Sequence, residues 1–196
     1  MLDERFVIVG FILNFLGSLS YFLAVLRGQA KPNKVSWFLW GIFPLIAGIA
    51  QLDQGVGLQA LPTFSATFCS FVVLLAAFFN KKAYWKLGAL DWVCGALAGL
   101  GYILWQITDW PNLALMFAIL ADFLAGVPTI VKAYKSPETE SSWTFLLGFI
   151  NYVLGLLTLQ ALDFAHLSFP LYAGMMCLTF FALIQFRVGP RLAPKT

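Results

Sequence analysis

Two acidic residues lie inside long apolar stretches of the sequence, where a charged side chain is unusual. Asp122 is near the middle of 110–131, and Asp91 is close to the start of 87–107. An ionised carboxylate in an apolar medium is costly unless it faces water, meets a partner or is protonated. Asp122 is therefore predicted either to take up and release a proton beside a bound solute, or to hydrogen-bond a neighbouring helix. For Asp91 a structural pairing with Lys86 is favoured.

A second group of candidate residues combines aromatic and amide side chains at helical spacing. Trp40 and Pro44 share one helical face, and Asn151 is at the matching place in a later apolar stretch. Pro44 removes a backbone donor and frees a carbonyl, while Asn151 supplies an amide. Such groups are predicted to hold a small polar ligand by stacking and hydrogen bonds. The alternative, an interfacial aromatic belt, is favoured for Trp37 and Trp143, which are near the ends of their stretches.

Three polar stripes complete the set of candidate ligand-binding residues. Thr67 lies in one stripe, Tyr172 in another, and Asn14 in a third. Hydroxyl groups this close to the backbone often bond to their own helix, so part of this set is expected to be structural.

The remaining chemistry-bearing residues do not form a recognisable catalytic or metal site. The three cysteines have no metal-ligand spacing and are expected to be packing residues. The single histidine, His166, is expected to be interfacial, and no phosphate-binding loop or Cys-His pair occurs. We therefore expect no enzyme activity, no metal, no cofactor and no nucleic acid partner.

The elements that must position these residues are predicted to be membrane-spanning helices. Hydrophobic residues make up 61% of the 196 residues, and charged residues only 11%. A helix that crosses about 30 Å of hydrocarbon needs about 20 residues with few or no charges. Seven stretches satisfy this: 6–26, 35–52, 54–80, 87–107, 110–131, 141–162 and 164–186. The sequence therefore predicts an all-α integral membrane protein of seven transmembrane helices.

The basic residues predict the orientation of these helices. Eleven of the twelve lie in alternate connections or in the C-terminal tail, and Arg5 is the exception. Asp53, Asp109 and Asp163 lie in the remaining connections, which are predicted to be on the other side of the membrane. Because short basic connections stay in the cytoplasm, the N-terminus is predicted outside and the C-terminus inside, in what is expected to be a bacterial inner membrane.

An internal repeat relates the first three stretches to the last three. The segment 31–41 is echoed by 136–148, with matching prolines, Ser-Trp pairs and glycines 105 to 108 positions apart. The stretch 87–107 has no counterpart. The repeat therefore predicts a parallel 3+1+3 arrangement of helices. It consists of a first three-helix bundle in 1–80, a linker helix in 81–109 and a second three-helix bundle in 110–196.

The segment 126–143 resembles the PQ-loop motif of the SWEET and PQ-loop superfamily, as a divergent, bacterial-type member. Pro128, Lys132, Lys135, Ser136 and Ser142 fall on its positions, but Thr129 replaces the glutamine. Sugar-carrying members place asparagines on the third helix of each bundle. The corresponding stretches here, 54–80 and 164–186, contain only Asn80, at the end of stretch 54–80, and so do not supply that pair of asparagines. Transporters of vitamin precursors of the Pnu type share the 3+1+3 plan and remain an alternative.

The resemblance implies a facilitator or proton-coupled carrier of a small polar solute that works by alternating access between two bundles. Under this hypothesis Pro44 and Pro128 act as hinges, membrane lipid is a partner, and a homo-oligomer is possible. The solute-binding residues would be Trp40, Asn151, Asp122, Tyr172, Thr67 and Asn14. A non-transporting scaffold, receptor or lipid-handling subunit stays open, because a fold does not fix a function.

Overall fold

A computed structural model describes residues 2–80, 86–107 and 110–192, and these residues form eight α-helices without a β-strand. The helices are α1 (Phe6–Leu26), α2 (Lys34–Asp53), α3 (Leu61–Phe79), α4 (Ala89–Gln106), α5 (Pro111–Lys135), α6 (Ser142–Leu157), α7 (Phe164–Gln185) and α8 (Val188–Leu192). Short 3-10 turns, Gly57–Ala60 and Pro137–Thr139, precede α3 and α6. Lys81, Lys82, Asp109 and Lys195, which contributed to the predicted orientation, lie outside the described residues.

Local sequence signals explain where several helices begin. The Asn33 side chain accepts hydrogen bonds from the Val35 and Ser36 backbone N–H groups in the first turn of α2. The Asp163 side chain accepts one from the His166 backbone N–H in the first turn of α7. Gly55 and Gly57 have positive φ angles, which glycine adopts without steric cost, so the chain turns there before α3 begins. The predicted start at residue 54 was therefore wrong by several residues, because an uncharged run does not reveal a turn.

Among the described residues, five helical segments are long and apolar enough to cross a membrane: α1, α2, α3 with its preceding turn, α5 and α7. The prediction of an all-helical protein is confirmed for the described residues, and a membrane location is plausible. Helix α6 has only 16 residues, about 24 Å at 1.5 Å per residue. It ends at Leu157 rather than at the predicted 162, because the chain leaves helical geometry after the C-cap residue Thr158. Seven spans are thus not established.

The outer surface of the helices is apolar. Phe78, Trp92 and Met175 are each more than 60% exposed, and large apolar side chains of most helices are similarly accessible. A water-soluble monomer does not expose apolar surface on this scale, whereas lipid tails cover it without penalty. The exposed surface therefore agrees with a membrane environment.

The helices pack in a regular order. Helix α3 contacts both α1 and α2, and α7 contacts both α5 and α6. Helix α1 packs along α6 and α2 packs along α5, so these two pairs join the halves of the molecule, while α4 packs mainly on α5. The core lies where the six helices α1–α3 and α5–α7 meet.

The two ends of this bundle differ in their connections. We call the end that holds the connections 27–33 and 136–141 the basic end, and the end that holds 54–60 and 158–163 the opposite end. Backbone and side-chain hydrogen bonds between the connections at each end fix this arrangement. The basic end therefore carries Arg27, Lys31, Lys132 and Lys135, while Arg5 is at the opposite end.

Candidate functional site

A cavity of about 90 Å³ lies where the two halves of the molecule meet. Its lining residues come from six helices and most of them are buried: Asn14, Ser18, Trp37, Trp40, Pro44, Ala66, Cys69, Ser70, Asp122, Thr144, Phe145, Gly148, Tyr152, Phe169, Ala173, Met176, Cys177 and Phe180. We call this the central cavity. Both halves contribute to its wall, so relative movement of the halves would change its shape.

Asp122 is the acidic residue in the wall of the central cavity. It is 6% exposed, and its Oδ2 accepts a hydrogen bond of 2.7 Å from the Tyr172 hydroxyl. Its Oδ1 has no hydrogen-bond partner among the described residues. A buried carboxylate oxygen without a partner is uncommon in folded proteins and calls for an explanation. Asp122 thus has one oxygen held by Tyr172 and one buried oxygen without a partner among the described residues, in a side chain that lines the cavity.

Trp40 is held against α5 by close packing. Its indole nitrogen donates to the backbone carbonyl of Asp122 at 3.3 Å. A Cβ on Gly126, one turn beyond Asp122, would lie 3.2 Å from the Trp40 ring and 3.0 Å from Met176. The absence of a side chain at Gly126 therefore lets the indole approach α5 and brings it beside Asp122.

Four aromatic rings form a closed circuit on the basic-end side of the central cavity. The ring centroids are 5.3 Å apart for Trp37–Trp40 and 5.5 Å for Trp40–Phe180. They are 4.6 Å apart for Phe145–Phe180 and 6.3 Å for Trp37–Phe145. These distances are typical of favourable aromatic pairs. We call these four residues the aromatic wall; it includes Trp37, which was predicted to be interfacial and is instead 4% exposed.

Asn14 and Asn151 meet at one serine. Both side-chain amides donate to the Ser65 hydroxyl, at 3.0 Å and 2.9 Å, and that hydroxyl donates to the Pro62 carbonyl at 2.7 Å. This network joins α1, α3 and α6. Asn14 also lines the central cavity, whereas Asn151 is fully buried in the helix contact. Ser65 was not among the predicted residues, since nothing in the spacing of one serine marks it as a junction.

The other predicted site residues are placed differently. Thr67 does not line the central cavity, and its hydroxyl has no partner among the described residues. Tyr172 reaches the site through its bond to Asp122. Pro44 lies inside α2 and lines the cavity, while Pro128 lies inside α5 and is buried away from it.

Sequence reasoning missed a buried ion pair at the basic end. Lys132 Nζ lies 2.6 Å from Glu140 Oε1, and both side chains are fully buried. The Tyr21 hydroxyl donates to Glu140 Oε2 at 2.6 Å, and Lys132 also donates to the Lys31 carbonyl. We call these four residues the basic-end latch, since they join α1 and the α1–α2 connection to α5 and the α5–α6 connection. No spacing rule pairs these residues, because 119 positions separate Tyr21 from Glu140.

The opposite end is closed by neutral amides. Gln51 donates to the Ala165 carbonyl, and Gln59 donates to the Thr158 carbonyl, each at 2.9 Å. The backbone N–H of Gln160 donates to Gln59 at 3.3 Å. Each of these bonds also connects the two halves of the chain.

The environment of Asp91 differs from the expected pairing with Lys86. Its carboxylate accepts hydrogen bonds from the Asn33 side chain and, at 2.6 Å, from the Gly88 backbone N–H. Asp91 thus connects the start of α4 to the start of α2, which is a structural role of the kind predicted but with different partners.

No described group of three His, Cys, Asp or Glu side chains has a geometry suited to a metal ion. His166 lies in the first turn of α7, where its ring nitrogen is 2.7 Å from Asp163. Hydrogen bonds from the His166 side chain and backbone hold the pKa of the exposed Asp163 carboxyl below its usual value. His166 therefore stabilises a helix start and does not take part in the central cavity.

Comparison with known proteins found no matching family model, no matching curated protein and no matching solved structure. The resemblance to the SWEET and PQ-loop superfamily therefore depends on the residues of the segment 126–143 and on the internal repeat.

Proposed function

We propose that this protein is a membrane carrier or facilitator of a small polar solute. In this proposal seven transmembrane helices form two parallel three-helix bundles, α1–α3 and α5–α7, joined by α4. The observation that carries the proposal is the central cavity at the junction of the two bundles, whose wall includes the buried carboxylate of Asp122. In transporters built from repeats, substrate sites lie at the interface between the repeats.

The internal repeat and the helix contacts support the two-bundle arrangement. Each third helix, α3 or α7, packs against the first and second helices of its own half. The halves meet through α1–α6 and α2–α5, which are equivalent pairs under the repeat. A two-fold relation of this kind allows the halves to rock against each other around a shared site.

The separate closures at the two ends support alternating access. A carrier must release one end of its cavity while the other remains closed. The basic-end latch and the amide bonds of Gln51 and Gln59 are independent sets of contacts, so one set can open without the other. Pro44 and Pro128 each remove a backbone hydrogen bond inside a helix and are the proposed hinges.

A non-transporting scaffold is the second candidate, and the asparagine network favours it. A scaffold predicts that buried polar groups pair with each other, as the side-chain amide nitrogens of Asn14 and Asn151 do with the Ser65 hydroxyl. A carrier predicts a cavity with unpaired groups in its wall, as at Asp122. Asp122 therefore discriminates between the candidates better than the asparagines.

Uptake into proteoliposomes tests the proposal. Labelled sugars, amino acids, amines and vitamin precursors are supplied with and without a pH gradient, for the natural chain and for Asp122→Asn. We expect saturable uptake of at least one solute that is strongly reduced by Asp122→Asn, and stimulation by the gradient if Asp122 also carries a proton. Asp163→Asn, which neutralises an exposed carboxylate at the opposite end, is the matched control. Absence of uptake from protein with a normal unfolding transition would favour the scaffold.

A further inference from the structure

The central cavity has an unbalanced charge. Asp122 is its only acidic residue, and none of the described lining residues is lysine, arginine or histidine. The Tyr172 hydroxyl is the single side-chain donor that the described residues supply to this carboxylate. Because an isolated ionised carboxylate is strongly disfavoured away from water, a positive charge that enters the cavity would be attracted to the Asp122 carboxylate.

Two other polar groups of the wall present acceptors. The Ser18 hydroxyl donates to the Asn14 carbonyl at 3.1 Å, and the Thr144 hydroxyl donates to the Gly17 carbonyl at 2.8 Å. With their hydrogens used in this way, these hydroxyl oxygens present lone pairs to a guest. The Trp37 indole N–H and the Ser70 and Tyr152 hydroxyls are donors in the same wall. The Ser18 and Thr144 oxygens, together with Asp122, suit a guest that brings positive charge or hydrogen-bond donors.

The aromatic wall provides the second element of cation recognition. The circuit of Trp37, Trp40, Phe180 and Phe145 lines one side of the cavity with aromatic rings. Tryptophan is the strongest side chain for attracting a cation to a ring face, and desolvation increases the attraction. Trp40 is fixed beside Asp122 by its bond to the backbone carbonyl of that residue. The carboxylate and the rings therefore act on the same guest.

The size of the central cavity limits the guest. Pockets that hold drug-sized ligands are about 300–1,000 Å³, whereas this one is about 90 Å³. In this conformation the cavity therefore suits a guest smaller than a drug-sized ligand.

We propose that the central cavity is a binding site for a small organic cation, an amine or ammonium compound. Its charged nitrogen faces the Asp122 carboxylate, and its methyl or methylene groups contact Trp40 and Phe180 of the aromatic wall. This inference rests on the proposed function as a carrier and names the class of its solute.

Binding to the purified full-length chain tests the inference. Methylammonium, tetramethylammonium and choline are titrated by calorimetry, with the quenching of tryptophan fluorescence as a second readout. The decisive comparison is between choline and 3,3-dimethyl-1-butanol, which has nearly the same shape but no charge. We expect choline to bind at least about tenfold more tightly, the size of a desolvated cation–π contact plus an ion pair.

Variants locate the site within the chain. Asp122→Asn, which keeps the shape of the side chain but removes its charge, is expected to weaken binding of the cations at least about tenfold. Asp163→Asn is the control and is expected to leave binding unchanged. Equal affinity for choline and its neutral counterpart would overturn the inference, as would full cation binding by Asp122→Asn. The first comparison needs no variant and remains decisive if Asp122→Asn does not fold.

Uptake and binding together separate the two proposals. Selective cation binding without uptake would support the site and contradict the carrier. Uptake of neutral solutes, with no saturable binding of any of the three cations, would support the carrier and overturn the cation site.

Discussion

The two ends of the molecule are closed by different chemistry. At the basic end a buried ion pair, Lys132 with Glu140, is reinforced by Tyr21 and by the Lys31 carbonyl. At the opposite end the bonds of Gln51 and Gln59 to backbone carbonyls are neutral. A buried ion pair is strongly destabilised when one partner is removed, whereas a neutral hydrogen bond contributes much less. In the proposed carrier, opening of the basic end is therefore expected to require more free energy than opening of the opposite end.

The largest expected effect is at the basic-end latch. Glu140→Gln leaves the buried Lys132 ammonium without its counter-ion and should lower the free energy of unfolding by about 3–5 kcal/mol. Thermal unfolding in detergent would measure the loss. Because the penalty comes from an unpaired charge, the double variant Lys132→Met with Glu140→Leu should recover most of it.

Thiol labelling tests whether Glu140→Gln also increases the access of water to the central cavity. Cys69 and Cys177 line the cavity, so in a Cys94→Ser background their modification rate reports access from water. Glu140→Gln should raise this rate. An unchanged rate, together with the expected loss of stability, would show that the latch does not control access.

At the opposite end, Gln59→Leu should lower the free energy of unfolding by less than Glu140→Gln does. It removes the donor to the Thr158 carbonyl and the acceptor for Gln160. A buried backbone acceptor left without a partner costs about 1–3 kcal/mol, which denaturant titration would detect. Gln54→Leu is the matched control, because the Gln54 side chain bonds only within its own helix, to the Ala50 carbonyl. A loss for Gln59→Leu equal to that for Glu140→Gln would remove the proposed difference between the ends.

Asn33 allows the contributions of helix capping and of the contact with α4 to be separated. Asn33→Ala removes both the N-cap of α2 and the donor to Asp91. Loss of an N-cap typically costs about 1 kcal/mol. Asn33→Ser keeps a capping hydroxyl but is too short to reach Asp91. The difference in stability between the serine and alanine variants, measured by thermal unfolding, gives the capping contribution. The difference between the natural chain and the serine variant gives the contribution of the contact with Asp91.

The smallest effect is expected from Asp163, which lies exposed at the opposite end. Its pKa is lowered by hydrogen bonds from His166, so its stabilising contribution is present above the ordinary value of 3.8. That contribution disappears as the pH falls below 3.8 through the lowered value. The melting temperature of the natural chain should therefore exceed that of Asp163→Asn slightly at neutral pH, and the two should converge in acid. A constant difference at all pH values would show that the carboxylate charge is not responsible.

The candidate site was predictable in part. Asp122 and Trp40 stand out in the sequence because a carboxylate and an indole in an apolar stretch are individually conspicuous, and the structure places both in the cavity wall. Thr67 was selected because it lies on a polar face, but a helical face does not specify which neighbour it contacts. Ser65 and Glu140 are unremarkable in sequence, since their roles depend on residues many positions away.

The sequence by itself determined the helices, the location of the basic residues and the internal repeat. These properties depend on composition and on local periodicity, which a sequence reports directly. Only the tertiary structure decided that Lys132 meets Glu140 and Tyr21, that one serine joins two asparagines, and that four aromatic rings close one side of the central cavity. Such contacts depend on the register between helices, which is set by the packing of many side chains at once, and no single segment encodes it.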